Sequence, residues 1–232
     1  MIKSLFFLSF LAIQICLVAQ NDEKISFSLK ILASDSVLIK ENKITVINAK
    51  SDTIHINKLK FYLSGFKITD DKKKEKKSPE NAYLIDLLSE KEFKFEMNFD
   101  KLINPKKLIF TLGIDSILNS SGVLGGALDP TKGMYWTWNS GYINMMIEGK
   151  SRICPTKSNQ FQLHLGGFLY PNHSWQTITL DLTDSKKQTI LFDVEKFFDF
   201  IQLEKNYKIM SPGFEAVEAL KIAANCFSIQ SK

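Results

Sequence analysis

Apolar and polar residues trade places at every step through much of this chain. Ile25, Phe27, Leu29 and Ile31 alternate with Ser26, Ser28 and Lys30, and Phe93, Phe95, Met97 and Phe99 alternate with Lys94, Glu96 and Asn98. The same period returns at Ile54 and Ile56, which lead through Leu59 into Phe61, Tyr62 and Leu63. It returns again at Leu108, Phe110 and Leu112, at Ile178, Leu180 and Leu182, and at Ile190, Phe192 and Val194. Tyr142 to Ile147 and Phe161 to Leu165 are also strand-like. A period of two sends one set of side chains to a core and the other to water, which is what a half-buried strand requires. Gly, Asn, Asp, Pro and Lys clusters separate the runs along the whole chain, so the sequence predicts a mostly β fold, a sandwich or a barrel. A parallel α/β fold would need long amphipathic helices between its strands, and few are present. Val194 to Leu203 reads as one short helix. Phe214 to Asn225 reads as a second, with Val217, Leu220 and Ala224 on one face after Pro212. Asn98 to Ile103 reads as a short turn.

The first residues are of another kind. Lys3 precedes an apolar run from Leu5 to Val18, broken by Ser9 and Gln14, and the small residue Ala19 is followed by the polar stretch Gln20 to Lys24. This is the pattern of a secretory signal, and the run is shorter than the roughly 20 apolar residues of a membrane span. Residues 1–19 are therefore expected to be removed. Residues 20–232 are expected to act as one domain in the periplasm or outside the cell. Cys16 follows Ile15 rather than a small residue, so it belongs to the apolar run and not to a lipidation site. Loss of Lys3 takes the net charge from +5 to +4.

Nearly all of the positive charge is lysine, dispersed along the chain, and Arg152 is the only arginine. Nucleic-acid readers favour arginine at base edges, so the lysines read as solvated surface and no nucleic-acid partner is expected. The densest run, Asp70 to Lys77, reads as a charged hairpin tip. Cys154 and Cys226 survive cleavage. Their separation fits neither a zinc motif nor a redox motif, and in an oxidising compartment they either pair or remain as two thiols.

Gly113 to Gly149 departs from the alternation. Its first half is rich in glycine and asparagine, as expected of a long loop, and a loop of that length in a compact fold is usually functional or disordered. Met134, Tyr135, Trp136, Trp138 and Tyr142 then crowd into nine residues. His164 follows in FQLHLGG, and His173 and Trp175 follow in YPNHSW.

The block GMYWTWNSGY at 133–142, with IEG at Ile147 to Gly149, resembles the MbnP-like family. FYLSGFKI at Phe61 to Ile68, FTLGID at Phe110 to Asp115 and HLGG at His164 to Gly167 agree with it in order. Members are periplasmic β-sandwich proteins first associated with methanobactin operons. The resemblance therefore implies an antiparallel β-sandwich with a long Gly/Asn-rich loop. It also implies copper, bound by histidine together with a tryptophan oxidised to kynurenine, and a dihaem cytochrome-c-peroxidase-like partner that performs the oxidation. On this chain the implied histidine is His164, and the implied tryptophan is Trp136 or Trp138. The chemistry is coherent: imidazole is a good copper ligand, and kynurenine offers an aniline nitrogen and a ketone oxygen where indole offers only a donor N–H.

One departure stands out. Copper-binding members carry a second histidine just after the asparagine that follows the GID-like strand, whereas here Asn119 is followed by Ser120, a poor copper ligand. Of the remaining histidines, His55 falls in a predicted strand far away in sequence. His173 lies nine residues after His164 and is the other candidate ligand. The bland alternatives are a hydrogen-bonded His164 and aromatic packing for Trp136 and Trp138, whose equal parity puts both on one side of a strand. Asp129 and Glu148 carry oxygen donors but also suit a turn and a strand pair. No nucleophile elbow, zinc-helix motif or phosphate-cradling loop is present, so the chain reads as a binding protein, not an enzyme. Without the second histidine, a metal-free module that docks the haem partner is the alternative reading.

Overall fold

The computed structural model describes residues 22–33, 36–37, 44–80, 82–87, 93–100 and 104–230. The leader expected at residues 1–19, with Cys16, lies outside them. Along the chain run β1 (Asp22–Ala33), β2 (Ser36–Val37), β3 (Ile44–Ile47), β4 (Thr53–Thr69), β5 (Glu75–Lys77), β6 (Ala82–Asp86), β7 (Phe93–Asp100) and β8 (Lys107–Leu112). Helix α1 (Ser116–Ser120), the short β9 (Tyr135–Trp136), β10 (Gly141–Ser151), β11 (Gln160–Gly166), β12 (Gln176–Asp181) and β13 (Lys187–Asp193) follow. The last elements are α2 (Val194–Phe200), β14 (Lys208–Ile209), α3 (Phe214–Ala224) and β15 (Phe227–Ile229).

Among the described residues the strands form two sheets. The smaller has the order β15-β13-β1-β2, with β7 also paired to β1. The larger has the order β12-β8-β4-β10-β11-β14. Its spine is β4: β3, β6 and β5 pair along one edge, and β10 and β8 along the other. Strand β4 passes from β10 to β8 between Phe61 and Leu63, and its pairing with β8 is then interrupted by a register shift between Ser64 and Lys67, at Gly65 with φ +60°. Such an irregularity bends a strand without ending it, so one strand of 17 residues does the work of two.

The mostly β sandwich expected from the alternation is what forms. Its pairing is antiparallel in the main, but β1–β13 and β11–β14 are parallel. The return of β13 beside β1 joins distant parts of the chain, which periodicity does not encode. Between the sheets Phe27 stacks on Phe95 at 4.9 Å, Phe66 lies 4.5 Å from Phe95 and 5.0 Å from Phe110, and Phe110 meets Phe227 at 5.6 Å. Each fully buried large side chain of this kind stabilises by about 1.5–3 kcal/mol, so this aromatic seam anchors the sandwich.

Both expected C-terminal helices form, within a few residues of their anticipated ends. Asp193 caps α2 by accepting from Lys196 N at 2.9 Å. The buried stripe of α3 is Ala216, Ala219, Leu220 and Ala223, so its small alanines, rather than Val217 and Ala224, set the line of closest approach. Asp70 to Lys74 makes the expected hairpin tip and β5 continues it. The turn expected at Asn98 to Ile103 does not begin at Asn98: β7 runs on to Asp100, and residues 101–103 lie outside the described set. Cys154 and Cys226 are buried, separate thiols.

Candidate functional site

Residues 113–140 form the long loop anticipated from the sequence, and they fold back over the outer face of the large sheet. The loop starts at Gly113, with φ +104°, where a Cβ would fall 2.6 Å from the Asn144 side chain; only glycine fits there. Asn144 fills the space, accepting from Ile114 N at 2.9 Å and donating to Ser174 Oγ at 2.9 Å. Asp115 caps α1 through Leu118 N. Asp129 accepts from Thr131 N and Oγ1 at 2.8 and 2.7 Å, which closes a 3-10 turn and holds its carboxyl below the usual range. Asp129 is therefore a turn residue.

Under this cover lies a second apolar cluster that includes Tyr62, Leu128, Met134, Trp136, Tyr142 and Met146. Tyr142 ties it together. Its ring meets Tyr62 edge-on at 5.9 Å, and its hydroxyl accepts from Leu124 N and donates toward Leu128 O, both at 3.0 Å.

Trp136 sits at the edge of this cluster, 6% exposed. Its ring lies on Gly166: a Cβ there would come within 2.7 Å of the indole Cζ3. Trp138 is 64% exposed, and the two indole centroids are 5.5 Å apart. The equal parity of the two tryptophans therefore does not place both on one strand. Strand β9 ends at Trp136, and the turn that follows carries Trp138 outward with its ring still in contact.

His164 lies on β11 opposite Met146, on the same face as Gly166 two residues on. Its Nε2 donates to Glu148 Oε1 at 2.7 Å, and Lys58 Nζ binds Glu148 Oε2 at 3.0 Å. Burial alone would raise the Glu148 carboxyl, but the hydrogen bonds from His164 and Lys58 outweigh it and hold the group below its ordinary value. An ionised carboxylate only accepts, so Nε2 carries a proton toward Glu148. Next to this trio Lys60 pairs with Asp86 at 2.8 Å and reaches the loop at Lys132 O.

Trp136 and His164 are thus gathered on one face of β11, with Trp138 at its rim. The ring contact of His173 lies elsewhere, with Trp175. His173 is exposed on the loop after β11, 5.6 Å from Trp175, whose indole donates to Ser116 Oγ at 3.2 Å. Ser120 is exposed and donates to Ile117 O in its own helix at 2.9 Å. Among the described residues no group of three or more His, Cys, Asp and Glu converges to hold a metal. At this face the side chains present one oriented imidazole and one carboxylate.

Lys58 and the seat at Gly166 were not singled out in the sequence. The glycine of HLGG was the available signal for the seat. Lys58 gave none, because cross-strand pairing brings it to Glu148. Among the described residues, no helix is long and apolar enough to cross a membrane.

The family model MbnP matches residues 21–211, which leaves α3 beyond its end. The solved structure of MbnP from Methylosinus trichosporium is similar in fold, with a TM-score of 0.60 and 15% sequence identity over 79% of this chain and 80% of that one. No curated protein sequence matches. With a sandwich of the same fold and a family match from β1 to beyond β14, the chain belongs to the MbnP family.

Proposed function

We propose that this protein is exported to the periplasm or beyond and binds copper there, with His164 as the histidine ligand. Trp136 is the tryptophan that joins it after oxidation to kynurenine by a dihaem cytochrome-c-peroxidase-like partner. The observation that supports this reading is the common face of β11. There the imidazole, oriented by Glu148, stands two residues from the glycine on which the Trp136 ring rests. The His–carboxylate pair is the usual outer support of a metal-ligating imidazole, and it leaves Nδ1 as the donor atom. Indole cannot ligate as it stands, and kynurenine adds the aniline nitrogen and ketone oxygen. Copper binding then waits on the oxidation. Trp138, exposed and in ring contact with Trp136, forms the accessible side of the pair. No catalytic group is assigned.

Copper titration of protein made with and without a dihaem cytochrome-c-peroxidase-like protein tests the reading. Protein made with it should take up stoichiometric copper and show the mass of a kynurenine at Trp136, and His164→Ala should lose the copper. Unmodified Trp136 together with no copper uptake would sink the proposal. A second reading has its own support in Ser120, whose hydroxyl is spent on its own helix: a metal-free module that docks the haem partner through its aromatic rim. In that case His164→Ala leaves partner binding intact and copper never binds.

A further inference from the structure

The face of the large sheet that carries Lys58 and Lys60 has its charges matched, each lysine against an acid. Beyond the register shift at Glu148 and Gly149 the matching stops. Gly149 has no room for a side chain, since a Cβ would sit 2.1 Å from His55 O, so β10 and β4 close tightly at this point. Past it, Thr45, His55, Lys150 and Gln160 stand in one row across β3, β4, β10 and β11. Thr45 Oγ1 lies 2.9 Å from His55 Nδ1 and leaves Nε2 outward. Among the described residues Lys150 and Arg152, the only arginine of the chain, make no ion pair or side-chain hydrogen bond.

His55, Lys150 and Arg152 line a cleft of about 670 Å³ between the tips of the β3–β4 and β10–β11 hairpins. Ser151 Oγ donates to Thr53 O at 3.0 Å and ties the two hairpins together beneath it. Asp52 is the one acid among the lining residues, and Asn48 Nδ2 already donates to its Oδ2 at 3.2 Å. Elsewhere in the lining, Ser51, Ser158 and Asn159 add polar groups.

Lys150 and Arg152 are left without an acid here, while the lysines a few residues away are paired. In the lining Lys150 and Arg152 outnumber the single acid Asp52; a concave site with a surplus of positive charge concentrates anions, and its volume falls within the ~300–1,000 Å³ of small-molecule sites. We propose that this cleft is a binding site for a small oxyanion, a phosphate- or carboxylate-bearing molecule. Arg152 grips it with its planar fork, and Lys150 and His55 flank it. The site lies farther along the sheet from His164, past Gly149, shares no residue with that group and does not depend on copper.

The test is an NMR titration of the mature protein at constant ionic strength, with inorganic phosphate, citrate and a glutamate-rich peptide in parallel. Saturable shifts should cluster at Ser51 to His55, Lys150 to Arg152 and Ser158 to Asn159, and the tighter of phosphate and citrate identifies the source of the oxyanion. Arg152→Gln should weaken binding by about ten-fold, the effect of losing one charge-assisted hydrogen-bonding group. Lys150→Gln should weaken it less, and Lys72→Gln on the charged hairpin tip not at all. Shifts spread evenly over surface lysines, unchanged affinity in Arg152→Gln, or saturation by the peptide alone would each overturn the proposal.

Discussion

Glu148 holds the proton of His164 on Nε2, and Lys58 keeps Glu148 ionised. Removing that charge with Glu148→Gln keeps the shape but weakens the orientation of the imidazole. Under the copper-binding proposal, copper affinity of the oxidised protein should then fall about 10–100-fold, the usual effect of losing such a support, as read by competition with a chelator. The same residue makes stability depend on pH. Its carboxyl is held below the ordinary 4.5, so its contribution is fully present above that value and fades as the pH falls below it. The difference in denaturant midpoint between wild type and Glu148→Gln should therefore be largest at neutral pH and shrink below about pH 4.5. Equal differences at both pH values would show that the trio adds nothing to stability.

At the scale of elements, the covering loop and the strand beneath it meet at Gly166. Gly166→Ala would place a methyl group against both the Trp136 ring and Tyr142 O, at 2.7 and 2.9 Å. Overpacking of this kind costs about 1–3 kcal/mol. It should also lift Trp136 from its seat, seen as a red-shifted fluorescence spectrum. Most of the strands were legible in the sequence because alternation and burial are one and the same fact, as at Ile25 to Ile31. The helices were legible for a similar reason. The parallel return of β13 beside β1 was not, since it depends on partners distant in sequence. At the site, the tryptophan block and HLGG pointed to Trp136 and His164. Their meeting on one face, the outward turn of Trp138 and the Lys58–Glu148 pair needed the register of β4, β10 and β11. The exposed placement of His173 beside Trp175 likewise follows from how the loop after β11 folds, which no local pattern records.

Over the whole molecule, the aromatic seam between the sheets sets the stability. Phe66→Ala should cost about 3–5 kcal/mol, as for other buried phenylalanines, and lower the midpoint of a single cooperative transition. Cys154 and Cys226 report on the same transition from inside. Both are buried, and burial pushes the Cys226 thiol up to about 12, so a thiol reagent should label them only when the sandwich opens. Labelling should be faster in Phe66→Ala; fast labelling of the intact wild type would contradict this packing. Strand β4 has a broader consequence. It carries His55 to the cationic cleft, Lys58 to the histidine face and Tyr62 to the cluster under the loop, all within eight residues of one ribbon. A shift of that ribbon by a single position would turn all three away from their work at once, so the two sites stand or fall together in folding even though they share no ligand.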